Sequence, residues 1–184
     1  FEEFILSLEK FTPEYAEEAE LSSFSAPTDI TRKLNERVLE ELPFDNRDDF
    51  EEARRGLIAS APHLQIKDAD GVVIWDMASF NFIDGPAPAS VNPSLWRQAQ
   101  LNNIHGLFEV TPGIYQLRGF DLANMTIIEG NSGWIIVDPL TTQETASAAL
   151  AFAGQHLERR PVTAIIFTHS HIDHFGGTLG VLSA

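Results

Sequence analysis

A continuous apolar run rich in β-branched residues, Val162 to Phe167, leads without a linker into Thr168-His169-Ser170-His171-Ile172-Asp173-His174. The run reads as a strand buried on both faces. The chain therefore has to build a sheet with helices over it and hold several titratable side chains at that strand's end. In extended backbone, residues two apart point the same way, so His169 and His171 can offer ring nitrogens to one metal ion. Asp173 and His174 follow where the chain turns and can face a second centre nearby. Imidazole and carboxylate suit zinc or iron, and a catalytic ion keeps an open position for water. The competing reading is a polar loop whose histidines only hydrogen-bond. Desolvating several titratable groups together without a partner is costly, which favours the metal. Gly176 and Gly177 allow close backbone approach before the next helix.

Upstream, the pattern from about residue 107 reads strand, strand, strand, helix, strand. Gly113–Leu117 and Asn124–Glu129 are short strands. The turn Gly130-Asn131-Ser132-Gly133 leads to Trp134–Asp138, which Pro139 ends. Thr141 with Glu144 three residues on reads as a capping box. Ala146, Ala149, Leu150, Ala153 and Leu157 line one face of the helix that follows, and Pro161 stops it. The class is α/β or α+β, with helices covering a sheet.

The first third is the densest in charge and reads as helical. Phe1, Phe4, Ile5, Leu8 and Phe11 recur at helical spacing before Pro13. Ile30, Leu34, Val38 and Leu42 form a second stripe, capped by Thr28 and stopped by Pro43. Asp48–Arg55 reads as a third short helix, acidic at its start, basic at its end and closed by Gly56. Around Asp68-Ala69-Asp70-Gly71, residues 64–77 read as a β-hairpin. The proline-rich stretch from Ile83 to Pro93 reads as a connecting loop.

With 12 basic and 27 acidic residues among 184, the formal charge is −15. Such a surface repels phosphate backbones and anionic lipid, which argues against nucleic acid and membrane surfaces as partners. No apolar run is long enough for a membrane span. The chain has no cysteine, so disulfides, thiolate nucleophiles and cysteine metal sites are excluded.

The motif at 168–174 resembles the signature of the metallo-β-lactamase superfamily. Three further segments, Asn92–Gln100, Gly119–Thr126 and Trp134–Leu140, resemble its alkyl sulfatase branch, zinc enzymes that hydrolyse dodecyl sulfate and similar detergents. The likeness runs from about residue 42 to the end. It implies an αββα sandwich preceded by a helical and irregular extension, with residues 1–105 as the extension and 106–184 as the first, incomplete part of the domain. It implies two zinc ions, His169 and His171 on one and Asp173 and His174 on the other, with a metal-activated water as nucleophile. Asp138 would orient a ligand histidine or the loop from behind; its competing reading is a strand-end turn residue before Pro139. A bridging carboxylate, a glutamate and a histidine would come from downstream of Ala184. A homodimer and a periplasmic or secreted location are implied by the resemblance alone.

Two other readings stay open. One is another hydrolase of the superfamily, acting on a thioester, lactone or phosphodiester. The other is a non-catalytic assembly module, with residues 1–105 embracing a partner chain. His63, His105 and His156 read as surface or packing residues. Trp75, Trp96 and Trp134 read as core or interface anchors. Arg118 reads as half of a surface ion pair.

Overall fold

The structure is a computed structural model and describes residues 26–182. The described residues begin with helices: α1 (Asp29–Glu41) and α2 (Asp48–Arg54) precede a short strand, β1 (Leu57–Ala59). A hairpin follows, β2 (Gln65–Lys67) and β3 (Val73–Asp76), continued by a 3-10 turn at Met77–Phe80. Helix α3 (Pro93–Asn102) leads into β4 (Gly106–Thr111), β5 (Ile114–Arg118), β6 (Met125–Glu129) and β7 (Trp134–Val137). Helix α4 (Gln143–His156) crosses over to β8 (Val162–Ile166), and the chain then forms α5 (Ile172–Phe175) and α6 (Thr178–Leu182). The helix sought before Pro13 lies outside the described residues.

The main sheet has six strands in the order β1-β4-β5-β6-β7-β8. All neighbours are antiparallel except β7 and β8, which run parallel with Val137 opposite Ile166. A parallel pair needs a crossover, and α4 is that crossover. It starts with a capping box, but one residue later than the sequence suggested. Thr142 accepts from Thr145 N–H and Thr145 reciprocates, because Thr141 is engaged elsewhere. The alanines Ala146, Ala149 and Ala153 are buried, and their small side chains bring α4 close onto the sheet. Leu107, Leu117, Met125, Ile127, Trp134 and Ile136 supply the opposing layer, joined by Ile66 and Met77 from the hairpin region. Each large side chain fully buried there contributes about 1.5–3 kcal/mol relative to exposure.

Three readings change. Val162–Phe167 is the outer strand of the sheet rather than one buried on both faces, with Ile166 49% exposed. The stripe Ile30, Leu34, Val38 and Leu42 does form on α1, capped by Thr28, yet α1 has no buried residue. Among the described residues Arg118 has no carboxylate partner; it stacks over Phe108 at 4.2 Å, donates through Nε to Gln116 and reaches the Ala53 carbonyl. That carbonyl lies in the last turn of α2, so a cation there suits the helix end. The proline-rich stretch from Ile83 is a connecting loop as read, with helix α3 starting at its last proline. Asn92 caps α3 by accepting from Ser94 N–H, with Pro93 in its first turn.

The strand β1 comes from the segment read as an extension, yet it pairs with β4. Gly56 turns the chain into it with φ +75, and a Cβ there would stand 2.1 Å from the Glu109 carbonyl oxygen. Trp75 and Trp96 donate their indole N–H groups to the carbonyls of Gly119 and Gly85, and Trp134 is core. His105 and His156 pack rather than ligate: His105 Nδ1 meets the Asn103 carbonyl and His156 edges onto Phe152.

Candidate metal centre

Parallel pairing brings the C-terminal ends of β7 and β8 out side by side. Asp138 leaves one strand and Thr168 leaves the other, and the Asp138 N–H donates to the Ile166 carbonyl at 2.9 Å. Asp138 and Leu140 both have positive φ, 56° and 67°. Non-glycine residues held there store about 1–3 kcal/mol each and persist only where their surroundings over-determine them.

The Asp138 carboxylate is nearly buried and fully used. Oδ1 accepts from Thr168 N–H at 2.8 Å, and Oδ2 accepts from the Thr168 hydroxyl at 2.7 Å. His174 Nδ1 stands 2.9 Å from the same Oδ2. Burial pushes this carboxyl up, but the Thr168 and His174 hydrogen bonds and the His174 charge outweigh it and hold the group below the usual aspartate range. A carboxylate can only accept. His174 therefore carries a proton on Nδ1, and its Nε2 points away from Asp138 toward Asp173. The Thr168 hydroxyl spends its one hydrogen on Asp138, so its contact with His169 Nδ1 at 2.9 Å makes His169 the donor. His169 Nε2 is then the lone-pair nitrogen, and it faces His171 Nδ1 at 3.1 Å.

All four motif side chains lie together. The His169 ring is 4.6 Å from that of His171 and 4.1 Å from that of His174, and His174 Nε2 is 3.3 Å from Asp173 Oδ2. Two ligands bound to one tetrahedral zinc at about 2.0–2.1 Å stand about 3.3 Å apart. Both pairs have that spacing, so the donor set fits the metal that the motif implies. Among the described residues, no group of three or more such side chains forms a metal-holding set. The motif gathers four candidate donors without closing a shell.

Tight backbone packing keeps the motif against the Asp138 turn. A Cβ on Gly176 would meet the Thr141 carbonyl oxygen at 2.2 Å, and one on Gly177 would meet that of Pro139 at 2.1 Å. The Gly177 N–H donates to the Leu140 carbonyl at 2.9 Å. Sequence reasoning located Asp138 and the four motif residues but passed over Thr168 and Asp121. Thr168 sits inside the motif and was legible as a hydroxyl between a strand and a histidine. Asp121, a buried aspartate in the β5–β6 loop, carried no local signal.

A family model described as the metallo-beta-lactamase superfamily matches residues 118–184. Over 154 residues the chain is 56% identical to an (R)-specific secondary-alkylsulfatase of Pseudomonas sp, covering 83% of this chain and 23% of that protein. Over 157 residues it is 54% identical to a linear primary-alkylsulfatase of Pseudomonas sp, covering 84% and 23% respectively. The solved structure of the stereoselective inverting sec-alkylsulfatase Pisa1 from Pseudomonas sp superposes with a TM-score of 0.81 at 56% identity, covering 85% of this chain and 25% of that one. The chain thus spans about a quarter of the length of these relatives.

The sheet, its crossover and the histidine motif define a member of the metallo-β-lactamase superfamily. Within that superfamily, the chain belongs to the alkylsulfatase family.

Proposed function

We propose that the protein hydrolyses sulfate esters of medium-length alkyl alcohols, of the dodecyl sulfate type, at a centre of two zinc ions. The observation that carries this reading is the identity of more than half the aligned residues to two alkylsulfatases over more than four-fifths of the chain. His169 and His171 would hold one ion, and Asp173 and His174 the other. Bound divalent ions supply Lewis acidity and bring the pKa of water toward neutrality. Asp138 keeps the His174 ring turned so that Nε2 faces out, and through Thr168 it does the same for His169. The strongly negative chain tolerates an anionic substrate because two divalent ions reverse the local field.

The related structure is described as that of an inverting enzyme. Inversion requires attack at carbon, so the same course here places oxygen from water in the alcohol. The test uses the full-length enzyme with zinc and a secondary alkyl sulfate in 18O-water. Label should appear in the alcohol and a chelator should stop turnover. Label in the sulfate would overturn the carbon-attack reading. No sulfate release, with a thioester, lactone or phosphodiester cleaved instead, would move the enzyme elsewhere in the superfamily. Full metal content without turnover on any of these would favour the assembly-module reading. A homodimer is part of the proposal, checked by light scattering.

A further inference from the structure

The buried carboxylate of Asp121 has no role in the chemistry proposed above, yet it is densely bonded. It is 8% exposed, and no basic side chain of the described residues forms an ion pair with it. Its charge is held by neutral donors instead. Thr141 donates both its N–H, at 3.0 Å, and its hydroxyl, at 2.6 Å. Thr145 donates its hydroxyl at 2.5 Å, and Leu122 its N–H at 2.6 Å. Thr141 lies just ahead of the 14-residue helix α4 and Thr145 within its first turn, where the N-terminal dipole favours a carboxylate.

Thr141 directly follows the strained stretch from Asp138 to Leu140. Backbone held at positive φ relaxes unless both ends are fixed. The start is tied to β8 through the Asp138 N–H and the Ile166 carbonyl. Two of the ties at the far end run to Asp121. If that end slips, Asp138 moves with it, and a hydrogen bond near 2.9 Å weakens within a few tenths of an ångström. We infer that Asp121 is a positioning residue for the candidate metal centre. It pins the strained turn so that Asp138 stays seated against His174 and Thr168. The inference rests on the reading that Asp138 orients His174 for a metal.

The test compares full-length Asp121→Asn with Asp138→Asn and with Ile127→Val, a core change in β6 that serves as a stability control. Zinc affinity is read by chelator competition, the centre by its cobalt(II) d–d spectrum, and the His174 Nδ1–H signal by NMR of the metal-free protein. Asp121→Asn should weaken zinc about tenfold and shift the His174 signal, whereas Ile127→Val should lower Tm and leave both alone. If Asp121→Asn does not fold, Thr141→Val removes one of the same bonds and should weaken zinc severalfold. Loss of Tm with unchanged zinc affinity, spectrum and His174 signal would overturn the inference. If Asp138→Asn weakens zinc and Asp121→Asn does not, only the role of Asp121 fails. If Asp138→Asn is silent as well, the reading it rests on fails too.

Discussion

One threonine hydroxyl links Asp138, the partner of His174, to His169. Thr168 donates to Asp138 and accepts from His169, so a single carboxylate sets the tautomers of His169 and His174. Thr168→Val keeps the backbone bond and removes the hydroxyl. It should lower zinc affinity about tenfold, at the lower end of the range for groups behind a ligand, and isothermal titration of the full-length protein would show it. An unchanged affinity would mean that His169 finds its tautomer without help. Leu140 tests the strained turn from the packing side. Its side chain is fully buried, and Leu140→Ala should cost about 3 kcal/mol in chemical denaturation by opening a cavity. That the four motif residues and Asp138 come together was legible because motif spacing and strand ends leave a local imprint. Asp121 was not, because its threonine donors lie 20 and 24 residues away.

Among elements, legibility followed how local the cause was. The hairpin at Asp68–Gly71 showed itself through turn chemistry, and Asp68 indeed accepts from the N–H groups of Asp70 and Val72. Strands β1 and β4 were missed, since three- and six-residue strands pairing across the intervening hairpin and α3 carry little pattern of their own. The cap of α4 was misplaced by one residue because Thr141 and Thr142 are chemically alike and only Asp121 distinguishes them. Thr142→Ala should therefore destabilise the fold by about 1 kcal/mol as a lost N-cap, measured by thermal unfolding. Thr141→Val should show instead in metal affinity. Tyr115 in β5 offers a pH readout. Burial first, then Glu129 and Glu109, raise its phenol above the ordinary value of 10.0. The contribution is fully present below that value and fades as pH climbs through the raised one. Tyr115→Phe should flatten the alkaline loss of stability above about pH 10.

At the scale of the whole molecule, among the described residues the sheet is well covered under α4 and less so at its β8 edge. The face under α4 holds the core, while Ile166 and Phe167 at the β8 edge stay half exposed. An exposed apolar edge strand invites pairing with another chain. The 184 residues produced alone should self-associate and bind zinc weakly. A soluble, cooperatively unfolding monomer with two tightly held ions would contradict that. Size-exclusion chromatography and metal analysis decide it.

The crossover from β7 through α4 to β8 also orders events in time. Asp138 is synthesised about thirty residues before His169, and the strand that carries the histidines is the last to join the sheet described here. A nascent chain that has passed β7 holds the orienting carboxylate with nothing to orient. One that has just passed the motif holds imidazoles whose tautomers are still unselected. At the proposed metal centre, an ion captured at that moment would meet loose histidines, so any selectivity built on their orientation would have to wait until β8 closes onto β7.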